Sequence, residues 1–149
     1  MRRFLATLHA AAFTVVLPSA GAFAAEFKVQ MLNKGTDGQA WQFEPAFLKV
    51  ALGDTVTFLP ADKGHNSEII AGAVPEGAEP WKGKINEPVT ITYTQEGIYA
   101  YKCLPHAALG MVGIIQVGDS TANLAAVEKA KLVGKGKAQL DELIADIGG

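Results

Sequence analysis

The stretch Tyr99-Ala-Tyr-Lys-Cys-Leu-Pro-His-Ala-Ala-Leu-Gly-Met111 contains the single cysteine of the chain, Cys103. His106 follows three residues later and Met111 five residues after that, so a thiolate, an imidazole and a thioether lie close together in sequence. The two sulfur groups are soft ligands that favour copper over magnesium or calcium, and imidazole also binds copper. Two histidines and a cysteine in a trigonal site, with a distant axial methionine, form the copper geometry used for electron transfer. The stretch therefore predicts such a copper site.

The predicted geometry needs a second histidine, and His65 in Asp62-Lys-Gly-His-Asn66 supplies it. Taken singly, Cys103 could be a buried structural cysteine, His65 a surface histidine and Met111 a core side chain. Their number and spacing favour metal binding instead. A nucleophilic pair of Cys103 and His106 is an alternative, but it leaves Met111 without a role.

Cys-x-x-His-x-x-x-x-Met after an aromatic strand, together with a distant Gly-His-Asn, resembles the cupredoxins, the small blue copper proteins. The Asp-Lys-Gly-His-Asn sequence and a helical tail are most similar to the pseudoazurins, whereas the Cys–His–Met spacing alone is shared with plastocyanin. The resemblance covers nearly all of the chain after the amino-terminal segment. It implies one type 1 copper ion that cycles between Cu(I) and Cu(II), with four ligands: His65, Cys103, His106 and Met111.

Residues next to the predicted ligands are expected to shape the site. Pro105 fixes its own φ and removes a backbone donor near the thiolate. Gly110 allows the backbone to turn so that Met111 can approach the metal axially. By resemblance, Asn66 braces the two ligand loops and donates its backbone N–H to the sulfur of Cys103.

A small uncharged surface over a redox centre is what a transient partner needs. The resemblance implies that the edge of His106 reaches the surface through an apolar rim, with Trp41 as a further member. The rim residues are Pro105, Ala107, Ala108 and Leu109. Five lysines in or beside loops at the copper end are predicted to surround the rim and dock an acidic partner surface: Lys34, Lys63, Lys82, Lys84 and Lys102. The alternative is that these lysines are ordinary solvated loop residues.

Residues 1–25 have the three-part layout of a secretory signal peptide. Met1-Arg-Arg3 is basic, residues 4–17 are mostly apolar, and Ala22-Phe-Ala24 matches a cleavage site, so we expect cleavage after residue 24 or 25. The apolar run is too short and interrupted to span a membrane. The arginine pair leaves twin-arginine export as an alternative route. We therefore expect a periplasmic protein with residues 26–149 as one domain.

Composition excludes several other classes of protein. The formal charge is −2 for the whole chain and becomes −4 once Arg2 and Arg3 are removed, and no basic run suggests nucleic acid as a partner. A lone cysteine cannot form an internal disulfide, and in an exported protein it needs another explanation, which metal ligation supplies. The remaining length of about 125 residues is enough for one buried core.

The periodicity of the sequence predicts an all-β Greek-key β-sandwich, the cupredoxin fold, of about seven to eight strands followed by two short C-terminal helices. Tyr99 resembles the structural tyrosine corner of the family. The strands include residues 27–31, 43–50 with an edge or bulge at Pro45, 55–59, 89–94, 98–102 and 112–117.

The carboxyl-terminal tail changes to a helical period. One helix is predicted over residues 122–132, with Ser120 or Thr121 as its cap and Gly134 as its stop. A second, amphipathic helix is predicted over residues 138–147, ending at Gly148.

The resemblance implies a one-electron carrier and not an enzyme. Pseudoazurins pass electrons to copper nitrite reductase in denitrification and receive them from a c-type cytochrome or a similar donor, so we expect transient redox complexes, a monomer, and no membrane partner. A plastocyanin- or amicyanin-like carrier with another partner is one alternative. A periplasmic copper-binding or delivery protein is another, although delivery favours exposed and exchangeable ligands. A multicopper oxidase would need many more histidines.

Overall fold

The computed structural model describes residues 23–148, so the predicted signal peptide and its export signals lie almost wholly outside the described part. Eight strands occur in these residues: β1 Glu26–Lys34, β2 Ala40–Glu44, β3 Phe47–Val50, β4 Thr55–Leu59, β5 Glu68–Ile69, β6 Val89–Thr92, β7 Gly97–Lys102 and β8 Val112–Val117. Two helices follow, α1 Leu124–Glu128 and α2 Lys135–Ile144. None of the helices in residues 23–148 is both long and apolar enough to span a membrane.

The strands form two four-stranded sheets, one in the order β2-β1-β4-β6 and the other in the order β3-β8-β7-β5. Each sheet is mixed, because β1 runs parallel to β4 and β3 runs parallel to β8, whereas the other neighbours are antiparallel. The predicted β-sandwich of seven to eight strands with two short C-terminal helices is confirmed.

The strand that leads to the cysteine is buried on both faces. Tyr99 and Tyr101 of β7 belong to the core between the sheets, whereas Ile98 and Ala100 belong to a second core beneath the helices. Tyr99 also donates its hydroxyl to the carbonyl of Gln95 at 2.9 Å, as in a tyrosine corner. Packing on two sides fixes the end of β7, from which the predicted metal site begins.

The prediction of one strand over residues 43–50 was wrong. The chain leaves the first sheet at Glu44 and joins the second at Phe47, so β2 and β3 belong to different sheets. The break falls at Pro45, which has no N–H to give to a sheet ladder and follows a cis peptide bond.

Both predicted helices have different bounds in the structure. The first is shorter and stops at Glu128, well before Gly134. Asn123 precedes it but bonds both backbone groups of Ile98, at 3.0 and 2.7 Å, instead of capping the helix. The second begins three residues earlier than predicted, since Gly134, with φ of +62°, turns the chain onto the loop that follows Cys103.

Candidate metal centre

The loop after β7 is closed by its own backbone hydrogen bonds. The N–H of Cys103 donates to the carbonyl of Met111 at 3.0 Å, and the N–H of Met111 donates to the carbonyl of His106 at 3.2 Å. A 3₁₀ turn over Ala107–Leu109 ends at Gly110, whose φ of +107° suits glycine. These bonds hold the three predicted ligands of this loop in a fixed relative position.

Three of the predicted ligands meet at one point. The candidate ligand atoms of His65, Cys103 and His106 all lie within 4.8 Å of one another. The sulfur of Cys103 is 3.6 Å from Nδ1 of His65 and 3.4 Å from Nδ1 of His106. His65, Cys103 and Met111 are fully buried, whereas His106 is half-buried. The thiol thus faces two imidazole nitrogens in a site closed on all but one side.

His65 is oriented by a residue that the sequence did not reveal. Its Nε2 lies 2.9 Å from Oδ1 of Asn33, at the end of β1. Donation of the Nε2 proton to this amide oxygen leaves Nδ1 with a free lone pair toward the cysteine. Metal-binding histidines are commonly fixed in this way by a hydrogen bond to their other nitrogen.

The protonation of the site reflects its burial. Burial raises the pKa of the Cys103 thiol, and the backbone N–H groups of Asn66 and His106 act in the opposite direction. Burial also lowers the pKa of His65, and the neighbouring His106 lowers it further. Burial likewise lowers the pKa of His106. Both rings are therefore neutral near pH 7, the form in which imidazole binds a metal.

Asn66 lies between the two segments that carry the ligands. Its Oδ1 accepts a hydrogen bond from the N–H of Leu104 at 2.7 Å, and its Nδ2 donates to the carbonyl of Gly83 at 3.0 Å. The side chain thereby links the segment of His65 to the residue that follows Cys103.

The half-buried ring of His106 lies under an aromatic side chain and beside apolar ones. Trp41 stacks on this ring with 4.2 Å between centroids. Of the predicted rim, Ala107 is half-buried and the other three residues are exposed; Leu104, which was not included in the rim, is also exposed.

The predicted docking lysines differ in their surroundings. Four are exposed: Lys34, Lys63, Lys82 and Lys84. Lys84 lies 3.8 Å from Glu87 on the surface. Lys102 is different, because only 24% of its side chain is exposed and its Nζ lies 3.8 Å from the carboxylate of the buried Glu68.

The donor set fits one copper ion. A buried thiol, two neutral imidazoles and an adjacent buried thioether match copper in ligand type and in the number of strong ligands. His65, Cys103, His106 and Met111 are positioned as a type 1 copper site. Magnesium or calcium would need oxygen ligands instead.

Comparison with known proteins agrees with this chemistry. Residues 29–118 match the family model described as copper binding proteins, plastocyanin/azurin family. A pseudoazurin from Paracoccus pantotrophus is 46% identical over 141 residues, which is 95% of this chain and 97% of the relative.

Two solved structures are also similar. A pseudoazurin structure from Sinorhizobium is 50% identical, with a TM-score of 0.80, over 84% of this chain and 98% of the other. Native pseudoazurin from Hyphomicrobium denitrificans is 41% identical, with a TM-score of 0.78, over 83% of this chain and 99% of the other.

Proposed function

We propose, from the premise that the chain belongs to the plastocyanin/azurin family of copper-binding proteins and within it to the pseudoazurins, that it carries electrons in the periplasm to copper nitrite reductase. The blue copper electron-transfer class follows from the family and from the ligand cluster. When bound, copper supplies the exchange of one electron between Cu(I) and Cu(II). The periplasmic location and the reductase as electron acceptor are the parts that we propose beyond membership of the family.

The observation that carries the proposal is the difference in exposure among the ligands. Cys103, His65 and Met111 are fully buried, and only the ring of His106 is partly open to the surface. Exposed apolar side chains surround that opening, including Leu104 at 52% and Leu109 at 49% exposure. A small apolar patch around one ligand edge lets a partner approach the metal without displacing a ligand.

The same geometry favours a carrier over an enzyme or a copper-delivery protein. A groove of about 660 Å³ lies beside the ligand loop, and its lining includes Trp41 and Leu109 but none of the four ligands. A substrate in this groove would not touch the metal. Delivery requires ligands that a partner can reach, whereas three of these four are enclosed by the sandwich.

The identity of the partners is supported by the resemblance and by charge. Pseudoazurins serve copper nitrite reductase, and a c-type cytochrome or a similar protein is the proposed donor. Exposed lysines near the ligand loops, such as Lys34 and Lys63, suit an acidic partner surface despite the net negative charge of the chain. We propose short-lived complexes between a monomer of this protein and each partner.

Stopped-flow mixing tests the acceptor. The reduced protein is mixed with copper nitrite reductase and nitrite, and its reoxidation is followed through the colour of the oxidised copper. We expect rapid reoxidation that depends on both enzyme and nitrite. Reoxidation no faster than in the absence of the reductase would reject this acceptor. Cell fractionation tests the location, and a protein that remains with the cytoplasmic fraction would reject periplasmic export.

A further inference from the structure

A buried carboxylate is hydrogen-bonded to Asn66, the residue that links the two ligand segments. Glu68 of β5 is only 7% exposed and pairs in register with Lys102 of β7, the residue before Cys103. Its Oε1 lies 3.8 Å from Nζ of Lys102, and its Oε2 accepts a hydrogen bond from Nδ2 of Asn66 at 3.1 Å. The sequence pattern does not indicate this contact, because Glu68 lies outside the segments that carry the ligands.

The contact with Glu68 restricts the side-chain amide of Asn66 to one orientation. Its Nδ2 donates to Glu68 and to the carbonyl of Gly83, and its Oδ1 accepts from the N–H of Leu104. A flipped amide would place its oxygen against the carboxylate and its NH₂ group against an N–H donor. Glu68 therefore helps to keep Oδ1 of Asn66 directed at the residue after Cys103.

The charge of Glu68 also acts on the cysteine. Its carboxylate lies 3.8 Å from Nζ of Lys102 and opposite that residue in the sheet, so its negative charge is close to the start of the ligand loop. The same field favours Cu(II) over Cu(I), because the more positive ion gains more from a nearby negative charge. Lys102 acts in the opposite sense from the other side of the ion pair. A buried ion pair generally contributes little net stability. We therefore look for the effect of this pair at the metal site and not in the stability of the fold.

We infer that Glu68 is a positioning residue for the copper site, which orients Asn66 through a hydrogen bond and, together with Lys102, sets the reduction potential of the metal. The inference rests on the copper-carrier function but not on the identity of the redox partners. It is tested on the isolated, copper-loaded full-length mature protein.

Charge is tested by the reduction potentials of three variants. Glu68→Gln keeps an oxygen that can accept from Asn66 but removes the charge, so we expect a higher potential. At a fixed electrode potential, the Cu(I) to Cu(II) ratio should rise about three- to tenfold, and tenfold is about 59 mV for a one-electron couple. Lys102→Gln should lower the potential. Glu87→Gln removes the same charge from an exposed carboxylate that pairs with Lys84, and it should change the potential much less.

Orientation is tested with Glu68→Ala, which removes the acceptor. We expect a shifted thiolate-to-copper absorption band and faster hydrogen exchange at the N–H of Leu104, changes that Glu68→Gln should largely avoid. If Glu68→Ala does not fold, Glu68→Asp withdraws the carboxylate by one methylene and tests the same contact.

The outcomes separate the possible explanations. Equal potentials for Glu68→Gln and Glu87→Gln, or shifts of the same sign for Glu68→Gln and Lys102→Gln, would overturn the role of charge. The positioning role would be overturned if Glu68→Ala, or Glu68→Asp in its place, left both the absorption band and the hydrogen exchange at the N–H of Leu104 unchanged. A colourless unsubstituted protein would instead reject the copper-carrier function itself.

Discussion

The indole of Trp41 lies stacked on the imidazole of His106, with 4.2 Å between the ring centroids and 9° between the ring planes. Trp41 has a backbone φ of +59°, which is rare for a large side chain. The backbone at the start of β2 thus adopts an uncommon conformation at the position that covers the one partly exposed ligand.

The stack predicts a pH effect. Burial lowers the pKa of His106, so its ring stays neutral below the ordinary value of 6.5 and resists protons that compete with Cu(I). Trp41→Ala uncovers the ring, so its pKa should rise toward 6.5 and His106 should be protonated at a higher pH in the reduced protein. NMR titration of the histidine ring protons measures this. Trp41→Phe keeps a stacked ring and should behave nearly as the parent does; titration of His65 in place of His106 would contradict the assignment of the exposed ligand.

Met111→Leu tests the axial ligand. The substitution conserves volume in a buried position, so the free energy of unfolding should fall by less than about 1.5 kcal/mol. Without the thioether, Cu(II) loses more stabilisation than Cu(I), so we expect a coloured protein with a higher reduction potential. Voltammetry of the parent and variant makes the comparison. An unchanged potential would mean that Met111 is core packing and not a ligand.

Lysines at the copper end predict a salt-sensitive encounter with an acidic partner. Lys63→Glu should lower the second-order rate of reoxidation by the reductase and flatten its dependence on salt, with spectrum and potential nearly unchanged. Stopped-flow rates from low salt to physiological strength, where the screening length falls to about 8 Å, measure the effect. Glu96→Lys, an exposed position at the opposite end of β7 from Cys103, is the control and should do little. Effects of equal size at the two positions would show that net charge governs the encounter.

Helix α2 supports the ligand loop through glycine contacts. A Cβ at Gly136 would lie 2.3 Å from the carbonyl oxygen of Ala107, and one at Gly134 would lie 2.5 Å from that of Ala108. Gly136→Ala should therefore push helix and loop apart, at a cost of about 1–3 kcal/mol. Urea denaturation of the copper-free protein measures this cost. Lys137→Ala, in the same turn, is the control and should lower the free energy of unfolding by at most about 0.5 kcal/mol. If Gly136→Ala lowers it by no more than Lys137→Ala does, the close contact is contradicted.

Much of the site could be predicted because its chemistry is concentrated in a few side chains. The only cysteine, with a histidine and a methionine at short spacings, limits which metal can bind and shows which loop carries the ligands. The alternation of apolar and polar residues over 27–31 and 89–94 likewise predicts strands without reference to their partners. Tyr99 was assigned to a corner by its resemblance to the family, and its hydroxyl donates to the carbonyl of Gln95 in the structure.

The remaining features depend on contacts between distant parts of the chain. Asn33 and Glu68 approach the site from strands whose sequences carry no ligand motif. The early start of α2 depends on glycine contacts with the ligand loop, and the start of α1 depends on the bonds of Asn123 to β7. Residues 43–50 read as one strand because both of the strands there are apolar, and only the sheet pairing shows that they separate at Pro45.

The visible absorption spectrum of the oxidised, copper-loaded protein, recorded beside that of Cys103→Ser, tests the central claim most directly. A copper ion bound to the Cys103 thiolate gives an intense blue or green charge-transfer band, which the variant must lose because its hydroxyl is not a thiolate. The sandwich core does not depend on the sulfur, so the variant should still fold, as circular dichroism would show. We predict a strongly coloured parent and a folded variant without the band. A colourless Cu(II) parent, or an unaltered spectrum in Cys103→Ser, would contradict the assignment of this chain as a blue copper electron carrier.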